Sequence, residues 1–188
     1  MEKLFDISIV IAGKWNVKIF TPFWMLKELI GVKSKNGLIE VAFNQNSLQP
    51  IYKHKTIQLI PTDSLFEIKI PKPFNIELLK EANSIAIKLL HLLPYTPELA
   101  VGFNFRFKKP CSISNFKIDS YHKDYNVNTI QFSKKIDNFI INVILNCEND
   151  KQKDDIVFYN FHYKDTSIIK EDTIIMHFDY LKKKELWE

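Results

Sequence analysis

The sequence predicts an α+β fold: a single domain with a mostly antiparallel sheet of about eight strands, one long amphipathic helix (76–93) packed on it and a short C-terminal helix. Three observations predict it. Apolar and polar residues alternate with period two in one segment after another. Short turn-rich connections join several of these segments, as in an antiparallel meander. One long stretch switches to three- and four-residue steps, the period of a helix with one apolar face.

The first strand spans Phe5–Ala12, where Phe5, Ile7, Ile9 and Ile11 alternate with Asp6, Ser8 and Val10. Trp15–Phe20 is apolar but irregular. Thr21-Pro22 reads as a helix start, because threonine caps free amides and proline suits the first turn. That short helix runs from Pro22 to Ile30 and stops at Gly31. Three strands follow around Ile39–Phe43, Thr56–Leu59 and Phe66–Ile70, separated by turns at Asn44–Gln49 and Pro61–Ser64. Pro71 and Pro73 end this meander and Asn75 caps the long helix. Glu77, Lys80, Glu81, Ser84, Lys88 and His91 make its polar stripe; Leu79, Ala82, Ala86, Leu89, Leu90 and Leu93 make its apolar face; Pro94 stops it.

The next strand has the clearest alternation, Leu99, Val101, Phe103, Phe105 and Phe107 against Ala100, Gly102, Asn104 and Arg106. Residues 110–126 read as loop with one helical turn. Further strands are expected at Thr129–Ile136, Phe139–Cys147 and Ile156–Tyr163, with a charged turn at Asn146–Asp155. Ile175, Phe178, Leu181 and Leu186 lie near helical spacing, and Lys182–Lys184 suit a helix C-terminus. Strands dominate both halves, but the second has no match for the proline-bracketed helix, so the sequence supports no repeat.

Composition narrows the functional classes. The chain has 188 residues, of which 46% are hydrophobic, which excludes disorder as the main state. Among 26 basic residues Arg106 is the only arginine. Arginine is the usual reader of guanine and phosphate, so its scarcity argues against base-specific DNA recognition. Residues 1–94 hold 12 basic and 8 acidic residues, and residues 95–188 hold 14 of each, so the net charge of +4 lies in the first half. Cys111 and Cys147 are too few for a disulfide framework or a four-cysteine zinc site, and a reducing cytoplasmic compartment is expected. Asp6 interrupts the first apolar run, unlike a signal peptide. The most apolar stretch, Ile85–Phe107, contains Lys88, Pro94, Pro97, Glu98 and Arg106, so no spanning helix is expected.

Catalytic signatures are absent from the sequence. Gly13, Gly31, Gly37 and Gly102 lie too far apart for a phosphate-cradling loop, and no nucleophile elbow or paired-cysteine motif occurs. Cys147 falls in the apolar phase of its strand. Cys111 follows a strand end, with His122 or His162 as the only bases suggested for it. Asp119, His122 and Asp124 have ligand-type side chains, but Lys123 lies among them, and no metal or cofactor is implied. Arg106 shares a strand face with Asn104 and Gly102; if covered, it needs a carboxylate or a bound anion. His162 lies on one face of its strand with Phe158 and Asn160.

Trp15, Phe20, Phe23 and Trp24, in an irregular segment beside Lys14 and Lys18, are the candidate exposed apolar patch. The expected function is therefore a non-enzymatic protein-interaction module that engages another protein or a second copy of itself, with Trp15, Phe20, Phe23, Trp24, Arg106, His122 and His162 as candidate binding residues. One alternative is a weak, sequence-tolerant nucleic-acid binder using the lysine-rich first half. The other is an enzyme whose site gathers Arg106, Asp119, His122 and His162.

Overall fold

Alternation along nine segments produces one antiparallel sheet. A computed structural model describes residues 3–32, 38–43, 49–109, 129–146 and 155–183. The strands are β1 (Lys3–Gly13), β2 (Glu40–Phe43), β3 (Pro50–His54), β4 (Ile57–Pro61), β5 (Leu65–Pro71), β6 (Glu98–Lys109), β7 (Thr129–Ile136), β8 (Phe139–Asn146) and β9 (Asp155–Tyr163). Their spatial order is β2-β3-β4-β5-β1-β6-β9-β8-β7.

Eight of these strands match the expected segments. The ninth, β3, goes beyond the expectation. It is short, opens with Pro50 and holds Lys53 and His54, so it shows no clean alternation. A turn in which Lys55 takes φ 53° pairs it with β4. Backbone ladder bonds, rather than an apolar pattern, define it.

The odd-numbered residues of the central strands form the core. Ile7, Ile9, Ile11, Val101, Phe103, Phe105, Phe107 and Phe161 are fully buried, as are Phe66, Ile68 and Ile70 of β5. Each such side chain contributes about 1.5–3 kcal/mol relative to exposure. Edge-on aromatic pairs tie β6 to β9: Phe105 to Phe161 at 5.8 Å and Phe107 to Tyr159 at 5.5 Å.

Helices cover this apolar side. Thr21 Oγ1 accepts from the Trp24 N–H at 3.2 Å and starts α1 (Pro22–Trp24). A wider helical turn over Met25–Ile30 continues it and ends at Gly31, whose φ of 84° glycine adopts without strain. The long helix α2 (Ile76–Leu92) is capped by Asn75, whose Oδ1 accepts from the Leu78 N–H at 2.8 Å. Leu79, Ala82, Ile85, Ala86 and Leu89 are buried on its inner face. The C-terminal helix α3 (Thr173–Lys183) buries Ile174, His177 and Leu181, at three- and four-residue steps. Asn83 of α2 is also buried. Its Nδ2 donates to the carbonyls of Lys170 at 2.6 Å and Glu171 at 3.1 Å, fastening the segment that leads into α3.

The structure contains the repeat that the sequence did not support. Each half has a long central strand, a connection to the sheet edge, a meander returning beside that strand, and a helix on the same side. In the first half these are β1, β2–β5 and α2; in the second they are β6, β7–β9 and α3. The two halves meet where β1 pairs antiparallel with β6, with Ser8 opposite Asn104 near the middle of the ladder. Topology, not sequence, carries the likeness.

Several expectations fall outside the described residues: the loop at 110–126, the cluster Asp119, His122 and Asp124, both cysteines Cys111 and Cys147, and Leu186.

Candidate binding face

The even-numbered residues of the central strands point to the other side of the sheet, which carries no helix among the described residues. Pairing register aligns their side chains into rows. One row is polar from edge to edge: Ser133, Asn142, Asn160, Asn104, Ser8, Lys69, Gln58, Lys53 and Glu40, one residue from each strand.

Half of this row is a continuous hydrogen-bonded chain. Ser133 Oγ donates to Asn142 Oδ1 at 2.7 Å. Asn142 Nδ2 donates to Asn160 Oδ1 at 2.9 Å, Asn160 Nδ2 to Asn104 Oδ1 at 2.7 Å, and Asn104 Nδ2 to Ser8 Oγ at 3.3 Å. Neighbouring strands lie ~4.8 Å apart, which lets short amide side chains link directly across them. Gly102 makes room for the middle of the chain: a Cβ there would stand 2.7 Å from Asn160 Nδ2.

Beside the row, Arg106 pairs with the carboxylate of Asp6. Lys69 Nζ reaches the same oxygen at 3.4 Å. Asp6 is buried, and its Oδ1 has no hydrogen-bond partner among the described residues. The Arg106 guanidinium also lies over the Phe158 ring, 5.4 Å from its centroid. The carboxylate that the sequence required of a covered arginine is therefore Asp6. Among the side chains described on it, the face is positive. Lys3, Lys53, Lys69, Arg106, Lys108 and Lys135 stand on it against Asp6, Glu40 and Glu67. Lys3, Lys108 and Lys135 make no ion pair with a described residue. Lys72 joins Lys3 and Lys108 at one end: its ammonium is held below the usual lysine range by partial desolvation first, then by those two charges.

His162 lies on this face, opposite Gly102 on one side and Ile140 on the other. It borders a recess of about 220 Å³ with Lys135, Asp137 and Lys164. Arg106 stands four residues along β6 from Gly102, ~13 Å away at ~3.3 Å per residue. The polar row passes between Arg106 and His162, so the two share a face without converging. His122 lies outside the described residues.

The expected apolar patch is corrected. Trp15 and Phe20 are only 4% and 2% exposed. They fold down on Phe66, with ring centroids at 6.1 and 5.1 Å, and Trp15 Nε1 donates to the Ile11 carbonyl at 3.2 Å. The Tyr52 hydroxyl donates to the Phe20 carbonyl and pins the segment. Trp24 is half-buried, edge-on to Phe20 at 5.5 Å. Phe23 alone of the four is well exposed, at 71%, with Lys27 Nζ 5.4 Å from its ring. The irregular segment is a lid on the core because its indole and phenyl rings bury more apolar area against Phe66 than they would in solvent.

A second polar pair lies inside the core. The Tyr163 hydroxyl and His177 Nε2 share a hydrogen bond of 2.8 Å, and the imidazole stacks on Phe161 with centroids 4.0 Å apart. Phe103 and Phe139 complete the enclosure. Burial holds the His177 pKa down at about 3 and pushes the Tyr163 hydroxyl up to about 12, so both are neutral at physiological pH.

Among the described residues no group of three or more His, Cys, Asp or Glu is placed to hold a metal ion. No helix among them is long and apolar enough to cross a membrane. No protein-family model matches the chain, and comparison with curated proteins gives no match.

Proposed function

We propose that this chain is a nucleic-acid-binding module that lays a polyanion across the helix-free face of its sheet with little sequence preference. The observation that carries the reading is the polar row from Ser133 to Glu40, flanked by Lys3, Lys108 and Lys135. Eight strand spacings give it a span of ~38 Å, which suits a macromolecule better than a metabolite. Lysines without carboxylate partners exchange condensed counterions for phosphates, and that exchange supplies sequence-independent affinity. One arginine, already committed to Asp6, fits tolerance rather than base reading.

A second reading is a protein partner, including a second copy of the chain. Ile140, Ile144 and Phe158 favour it, being half-buried apolar residues on the same face. The lid position of Trp15 and Phe20 removes the original reason for placing that partner near Trp24. An enzyme built on Arg106, His122 and His162 draws no support from the separation of Arg106 and His162. A reducing cytoplasmic location belongs to this proposal.

Fluorescence anisotropy with labelled single-stranded and duplex oligonucleotides of mixed sequence tests it. Affinity is expected to fall steeply between about 50 and 200 mM salt. Replacing both Lys108 and Lys135 by Gln is expected to lower the log–log salt slope by about 2 on duplex. Absence of binding to either form at low salt overturns the proposal, and a concentration-dependent dimer in sedimentation then assigns the face to the second reading.

A further inference from the structure

The helix side of the sheet holds a further cavity. It lies between β7, β8, β9 and the end of α3, has a volume of about 400 Å³, and is lined mainly by Phe132, Ile141, Val143, Tyr159 and Leu181. That volume is within the usual range of small-molecule sites, ~300–1,000 Å³. Lys134 is the one charged residue of its lining.

Lys134 breaks a pattern. The helix-side positions of β7 are Ile130, Phe132, Lys134 and Ile136, so a lysine stands in an otherwise apolar row. It pairs in register with buried Ile141 and makes no ion pair with a described residue. A lysine can lay its methylene stem on apolar surface and hold its ammonium at the rim. Local departures from the binary pattern concentrate where a chain binds something.

We propose that this cavity binds a small monocarboxylic acid with a linear apolar tail, the tail between Val143, Tyr159 and Leu181 and the carboxylate at Lys134 Nζ. One ammonium balances one carboxylate. Lys134 is the one charged group of the lining, so a second carboxylate would find no cation there, and a cationic amphiphile would meet Lys134 as a like charge. The site lies on the helix side of the sheet and meets the polar row only at Ser133, the row's end.

Titration calorimetry of the full chain with octanoate, decanoate and decanol, below their micellar concentrations, tests the inference. Decanoate is expected to bind with one site per chain. Each methylene gains about fourfold, so octanoate is expected to bind about 15-fold more weakly. Decanol is expected to bind more weakly than decanoate, and Lys134→Met to erase that preference. Val143→Trp fills the cavity and is expected to abolish binding; Lys134→Met, at an exposed position, keeps the test decisive if Val143→Trp misfolds. No saturable binding, equal affinity for acid and alcohol, or no dependence on chain length would each overturn the proposal.

Discussion

Asn160 donates its side-chain amide to Asn104 Oδ1 at 2.7 Å, across the junction of β9 and β6 and directly over the Cα of Gly102. The bond is possible only because Gly102 has no side chain. It links the third and fourth members of the polar row, so the row's continuity depends on a residue that takes no part in it.

Gly102→Ala is therefore expected to displace the Asn160 amide. The loss is about 1–2 kcal/mol, one buried hydrogen bond plus local crowding. Urea unfolding measures it. In an Asn160→Ala background the same substitution is expected to cost much less, because the atom it strikes is gone, and a double-mutant cycle reads the difference.

Arg106→Met leaves the Asp6 carboxylate with Lys69 as its remaining cation. Removing one partner of a buried pair strands the other, and a loss of about 2 kcal/mol is expected. Adding Asp6→Asn should recover part of it, since the stranded charge is then absent. Two losses that simply add in urea titrations would show that the pair is not coupled.

His177 and Tyr163 give the fold an acid limit. The folded His177 pKa is about 3, below the usual histidine value of about 6.5. Between these values the unfolded chain binds a proton that the folded chain refuses, so stability is full above pH ~6.5 and falls as pH drops towards 3. The contribution from this residue is about 3 kcal/mol between pH 6.5 and 4. His177→Phe with Tyr163→Phe removes both polar partners and is expected to flatten that part of the profile, measured as the difference from the unmodified chain.

Asn83→Ala is expected to cost about 2 kcal/mol, because the carbonyls of Lys170 and Glu171 each lose a side-chain donor. Hydrogen exchange is expected to rise first in Thr173–Lys183, the helix those carbonyls lead into, rather than in β1 or β6. Uniform exchange throughout the fold would contradict this.

Elements with strong local patterns were legible in the sequence. Phe103, Phe105 and Phe107 announce both a strand and its buried face, and Thr21, Asn75 and Gly31 mark helix ends through their own capping chemistry. Features that depend on distant residues were not. β3 exists through its ladders with β2 and β4, which no local period records. Trp15 and Phe20 looked exposed because their segment is irregular, yet burial follows from the packing partner Phe66, more than forty positions away in the chain. The burial of His177 has no local signal, since it follows from the stacking of α3 on Phe161. Asn104 and Asn160 were visible as polar residues on strand faces, but their joining to Asn142 and Ser8 requires the register of four strands.

The two halves meet as identical subunits do in a symmetric dimer, through β1 against β6, but inside one chain. The core positions of the central strands differ: Ile7, Ile9, Ile11, Ile68 and Ile70 stand with Phe66 in the first half, and Phe103, Phe105, Phe107, Tyr159 and Phe161 in the second. Both strands of that seam are saturated: β1 is paired with β5 and β6 with β9 on their outer sides, so neither has an edge left to offer a strand from elsewhere.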